Sequence, residues 1–203
     1  MVAYKKSKHI EKLQEILRDQ NGLLLTSDLL TSGIPRSYLS TLEKTGEIQR
    51  ISRGVYSTPD SIADEMAGIQ ARFRVAIFSH ATAAYLLELS DRVPLFYSMT
   101  VPAGYNATSL KANGVKVYFV RRDLFQWGTT VMKSPHGNDI RAFNLERTLC
   151  DMVRSRNQMD IQLVNDALKR YVQKKEMNLD LLFDYARKFN IQRIIREYIE
   201  VLL

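Results

Sequence analysis

Between residues 7 and 60 the chain repeatedly switches its apolar spacing, and each switch falls on residues suited to a tight turn. Ile10, Leu13, Ile16 and Leu17 recur at helical spacing over Ser7 to Gln20. Asn21-Gly22 stops that helix, because both residue types tolerate the left-handed conformation. Leu23-Leu24-Leu25 is a short strand, and Thr26 or Ser27 caps a brief helix holding Asp28, Leu29 and Leu30. Thr31-Ser32-Gly33 is a turn, and Pro35 stands in the first turn of a further helix that ends at Thr45-Gly46. Glu47 to Ser52 and Val55 to Thr58 read as two strands joined at Arg53-Gly54, with Ile48 or Ile51 facing inward and Pro59-Asp60 closing the unit. Helix, short strand, helix, turn, helix and hairpin in this order predict a winged helix-turn-helix over residues 1–60.

Residues 61–203 read as one α+β domain, long enough for a core of its own. Ile62, Met66, Ile69 and Phe73 mark a connecting helix, and Ser79-His80-Ala81-Thr82 opens another whose body is Ala84, Leu86, Leu87 and Leu89. A strand-rich block follows. Tyr97, Met99 and Val101 alternate with Ser98 and Thr100, Val115 to Val120 is β-branched and aromatic, and Thr129 to Lys133 and Ile140 to Phe143 flank a polar turn. Asn144 caps a helix through Met152, and three apolar stripes predict helices around Leu168, Leu182 and Ile195. The expected whole is a small mixed sheet with C-terminal helices behind an N-terminal head.

The net charge of +7 suits a polyanionic partner. It is spread evenly: residues 1–60 carry nine basic and seven acidic groups, 61–150 ten and seven, and 151–203 ten and eight. Positive charge must therefore be gathered by folding. One cysteine, Cys150, excludes an internal disulfide and a cysteine-rich metal site. No apolar run reaches the ~20 residues of a membrane helix. The basic start leads into a charged segment unlike a signal peptide, so the expected setting is the cytoplasm.

The third helix carries the sharpest chemical signal. Arg36, Ser37, Ser40, Thr41 and Lys44 share one face, with Leu39 and Leu42 turned to the core. Hydroxyls and guanidinium groups without a carboxylate suit phosphates and base edges of duplex DNA. Arg50 and Arg53 on the hairpin extend that surface, and Gly54 lets the tip approach a backbone closely. The competing reading is a solvated helix face beside a hairpin kept soluble by its arginines.

Catalytic patterns are missing. His9, His80 and His136 have no metal-ligand spacing, and neither a phosphate-binding loop nor a dinucleotide fingerprint occurs. No Asp or Glu is followed two places later by Lys, as a restriction-type nuclease strand requires. The chain is thus read as a non-enzyme without a cofactor. Arg147 and Asp151 stand at i, i+4 and can pair, and Cys150 is read as a buried thiol.

Several segments together resemble the AbiE antitoxins of type IV toxin–antitoxin modules in bacterial abortive-infection, or phage-resistance, systems. They are Gly46 to Tyr56, Phe78 to Leu87, Thr100-Val101-Pro102, Glu146 to Asp151 and the C-terminal Tyr198 to Leu203. The resemblance implies a head that binds inverted repeats in double-stranded promoter DNA and represses its own operon. It implies a body that counters a nucleotidyltransferase-like toxin without stable direct contact. Ser79, His80, Glu146, Arg147 and Asp151 are the antitoxin-domain candidates in the resembling segments. Inverted half-sites call for two copies, and the lack of a heptad favours monomers meeting on DNA. A regulator whose C-terminal domain senses a ligand, without antitoxin activity, shares the same head and stays open as the alternative.

Overall fold

Asn21 and Gly22, at φ 48° and 84°, turn the chain out of its first helix, α1 (Val2–Asp19), into β1 (Leu23–Leu25). In the computed structural model, which describes residues 2–61 and 64–203, α1 starts earlier than the apolar spacing predicts. Next comes α2 (Thr26–Thr31), whose Asp28 carboxylate accepts the Leu25 amide at 2.9 Å, so the cap is made from inside the helix and not by Thr26 or Ser27. Gly33, at φ 68°, makes the turn to α3 (Ser37–Lys44). Pro35 lies just before this helix, its carbonyl accepting the Tyr38 amide at 3.1 Å. The hairpin is β2 (Gln49–Ser52) and β3 (Val55–Ser57), with β3 also antiparallel to β1 in the order β1-β3-β2. The β2 register slips between Arg50 and Ser52, which turns Ile51 to solvent and leaves Ile48 as the inward isoleucine. Leu13, Leu24, Leu29, Ile34, Leu39, Leu42 and Ile48 form the core beneath.

The connecting helix is α4 (Glu65–Arg72), with Met66 and Phe73 buried; the predicted Ile62 lies outside the described residues. The chain divides into two units, Met1–Arg74 with Lys133–Ile140, and Val75–Met132 with Arg141–Leu203. Residues 133–140 are the tip of a later hairpin, and their link to the first unit is polar. Asp64 caps α4 by accepting the Ala67 amide on Oδ1 at 2.9 Å, while its Oδ2 accepts from Asn138 Nδ2 at 2.9 Å and from the Ser134 hydroxyl.

The second unit is built on a mixed sheet of β4 (Ile77–Phe78), β5 (Ser98–Pro102), β6 (Lys116–Val120), β7 (Thr129–Lys133) and β8 (Asp139–Phe143) in the order β6-β5-β4-β8-β7. β4 runs antiparallel to β5, while β5–β6 and β4–β8 are parallel. The helices are α5 (His80–Leu86), α6 (Thr108–Ala112), α7 (Leu145–Arg154), α8 (Ile161–Val172), α9 (Leu179–Lys188) and α10 (Gln192–Leu202). Phe143, Leu149, Val164, Leu168, Tyr171, Leu182, Ile195 and Ile199 fill the core they enclose. Asn144 caps α7 through the Arg147 amide at 3.0 Å. β5 departs from the predicted in–out alternation: Ser98 and Thr100 are as buried as Met99 and Val101. An interior strand is covered on both faces, and the polar pair is satisfied by Ser98 N donating to Thr82 Oγ1 at 2.7 Å and Thr100 Oγ1 donating to Ser79 Oγ at 2.8 Å.

Candidate nucleic-acid interface

In the first unit a cleft of about 630 Å3 opens between α3, the β2–β3 hairpin and the C-terminal end of α4. Its floor is Leu25, Leu39, Val55 and Tyr56, and its rim carries the hydroxyls of Thr26, Ser27 and Ser40. Five arginines line it: Arg36 from the N-terminal end of α3, Arg50 and Arg53 from the hairpin, and Arg72 and Arg74 from α4 and the residues after it. No carboxylate is among the described residues that line it. Arg36, Arg53 and Arg74 have no ion-pair partner among the described residues, so their charge stays available to a ligand.

The hairpin is held, not loose. Gly54, at φ 80°, turns its tip, and the Gly54 carbonyl accepts both the amide of Thr26 at 2.9 Å and its hydroxyl at 3.3 Å. This fixes Arg53 relative to α2 before any ligand arrives, which lowers the ordering cost of binding.

The structure divides the five residues predicted to share one face of α3. All five are exposed, but Arg36 and Ser40 border the arginine cleft, while Ser37 and Thr41 border a smaller pocket of about 250 Å3 with Ile10, Tyr38, Leu42 and Glu47. Thr41 spends its hydroxyl on the Ser37 carbonyl at 3.3 Å, and Lys44, in the last turn of α3, lines neither pocket. Arg50 and Arg53 stand in the cleft with Arg36. Arg72 and Arg74 were missed by sequence reasoning; an Arg-x-Arg pair at the end of a helix is a signal only once packing shows what it faces.

The five antitoxin-domain candidates lie in the interior of the second unit, each with almost no exposed surface. His80 opens α5 at φ 49°, a left-handed backbone rare for a side chain of its size. Its ring stacks on Tyr118 at 3.4 Å, Nδ1 lies 2.9 Å from Ser79 Oγ, and Nε2 lies 3.0 Å from Ser155 Oγ. A neutral ring with its proton on Nε2 satisfies this chain: Thr100 donates to Ser79, Ser79 to Nδ1, and Nε2 to Ser155. Burial, with Arg154, Arg147 and Lys116 adding to it and Asp151 opposing, pushes the His80 pKa down to about 3.

Arg147 lies between the rings of Phe143 and Phe189, at 4.1 and 4.5 Å. Its Nε donates to Asp151 at 2.9 Å and its Nη1 to the carbonyls of Leu124 and Trp127 at 2.8 and 2.7 Å. Asp151 also accepts from Arg154 at 2.9 Å, and Glu146 accepts the Tyr171 hydroxyl at 3.2 Å. Burial lowers the Arg147 pKa against the pull of Asp151, and raises that of the Cys150 thiol well above its usual range. A partner cannot touch side chains placed this way. What they do is hold α7 to the sheet, to α5 and to the loop before β7.

No group of His, Cys, Asp and Glu suited to a metal ion occurs among the described residues, and no described helix is long and apolar enough to cross a membrane. A family model described as transcriptional regulator, AbiEi antitoxin, matches residues 11–59, the segment that builds α3 and the hairpin. Among solved structures, the chain is similar to the RV2827C protein from Mycobacterium tuberculosis, with 15% identity and a TM-score of 0.58 over 89% of this chain and 71% of that one. At that identity the likeness is one of fold. Among curated proteins there is no match.

Proposed function

We propose that this chain, whose residues 11–59 match the AbiEi antitoxin family of transcriptional regulators, is a cytoplasmic antitoxin that represses its own operon. Its head is a winged helix-turn-helix, with α3 as the recognition helix and the β2–β3 hairpin as the wing. It binds inverted repeats in promoter DNA, one copy to each half-site. The second unit opposes a nucleotidyltransferase-like toxin of a type IV, abortive-infection module, without forming a stable complex with it.

The observation that carries the DNA reading is the carboxylate-free cleft in which Arg36 and Ser40 of α3 face Arg50 and Arg53 of the wing. Guanidinium groups set on a fixed frame give a phosphate backbone charge-assisted, directional hydrogen bonds. Arg36, at the N-terminal end of α3, is also placed to read a guanine edge in the major groove.

Footprinting on the DNA upstream of the chain's own gene tests the head: two protected half-sites in inverted orientation support the reading, and no protection at any concentration refutes it. Co-expression tests the antitoxin role. Rescue of growth from a neighbouring gene that is toxic alone supports it. A neighbour that is harmless alone, with promoter protection intact, leaves a regulator without antitoxin activity.

A further inference from the structure

The arginine cleft is not closed by the winged motif. Its remaining wall is the end of α4, which supplies Arg72 and Arg74. That helix is set in place at both of its ends. At its start, Asp64 caps it and is gripped by Asn138 and Ser134 from the hairpin tip. Along its length Gly68 lies against Val55 of β3, where an added Cβ would stand 3.6 Å from Val55 Cγ1. At its end Phe73 is buried and the Arg72 guanidinium lies over the Phe73 ring at 5.1 Å, while Arg74 is exposed. The two arginines are thus carried by an anchored element and face the same space as Arg36, Arg50 and Arg53.

We infer that Arg72 and Arg74 bind the phosphate backbone of the duplex that α3 and the wing read, so that α4 is a further wall of the DNA-binding channel. The inference rests on the DNA-binding reading above. Five guanidinium groups around one trough, with hydroxyls on its rim and an apolar floor, match the spaced negative charges of a nucleic-acid strand better than one compact anion. The two added arginines lie outside the recognition helix and wing, so they supply affinity without base reading.

The test measures anisotropy of two fluorescein-labelled duplexes of equal length, one from upstream of the chain's own gene and one of scrambled sequence. The full chain is compared with Arg74→Gln, Arg72→Gln/Arg74→Gln and, as a control on the exposed face of α1, Arg18→Gln. Salt is varied between about 50 and 200 mM. The plot of log affinity against log salt is expected to flatten by ~0.9 for the single and ~1.8 for the double variant. Affinity for both duplexes should fall by the same factor, with the Arg18→Gln slope unchanged. Because Arg72 also packs on Phe73, the Arg74→Gln variant separates phosphate contact from folding. An unchanged slope with parental binding intact overturns the inference and leaves the winged head standing. An Arg18→Gln slope that flattens equally overturns it as well, since net charge then explains the effect. Tighter binding to an RNA duplex of the same sequence overturns it in favour of an RNA ligand. Failure of the parent to bind either DNA duplex removes both the inference and the reading beneath it.

Discussion

His80 makes the second unit sensitive to acid by an amount that the structure sets. Its ring is buried and held neutral, with a pKa near 3 against about 6.5 when exposed. The unfolded chain therefore binds a proton that the folded chain refuses. Stability from this group is complete above about pH 6.5 and drains as pH falls from there toward about 3. Between pH 7 and pH 5 the loss is about 2 kcal/mol from this one ring, a sizeable part of the 5–15 kcal/mol typical of a domain. Urea titrations at both pH values read the difference directly, because they compare midpoints at constant slope. The matching variant is His80→Asn, since asparagine tolerates the left-handed backbone at this position. It is expected to be less stable than the parent at pH 7, having lost the Tyr118 stack, yet to lose about 2 kcal/mol less between pH 7 and 5. His9 and His136 are present in both proteins and cancel in the comparison. An equal drop in parent and variant refutes the reasoning, as does a native His80 resonance that titrates near pH 6.

Further outcomes follow from the same geometry. Asp151→Ala strands Arg147 beside its aromatic rings and is expected to cost about 3–5 kcal/mol in urea unfolding; a change below about 1 kcal/mol would mean that the pair is not a strut. Gly128→Ala and Gly46→Ala both place a Cβ at positive φ, but only the first drives it to 2.6 Å from Arg147 Cβ. The first should lose roughly 2–5 kcal/mol and the second about 1–2 kcal/mol, so equal losses would contradict the packing. Cys150, buried and with its thiolate disfavoured, should resist iodoacetamide in the native protein and react fully in denaturant.

What could be read from the sequence was the punctuation. Asn21-Gly22, Gly33, Gly46 and Gly54 all adopt positive φ where the pattern places turns, because the local chain has few other ways to reverse there. The Arg147–Asp151 pairing follows from helical spacing, but its complete burial does not, since burial depends on Phe143, Phe189 and Leu124, which come from elsewhere in the chain. β4 has two residues and α6 five, too few to show a period. Ser98 and Thr100 mimic a solvent face because their partners, Thr82 and Ser79, lie on a helix and its cap. The cleft was half legible: Arg36, Arg50 and Arg53 sit in a recognisable motif, whereas Arg72 and Arg74 reach the same space only through the packing of α4.

The account's central claim is that the arginine cleft of the head grips duplex DNA. The most direct measurement is the affinity of the full chain and of Arg36→Gln/Arg53→Gln for the DNA upstream of its own gene, by mobility shift at fixed salt. Each lost base or phosphate contact is worth about 1–3 kcal/mol, so the double variant should bind at least about tenfold more weakly while melting at the same temperature as the parent. Equal affinity of the two proteins would contradict the claim.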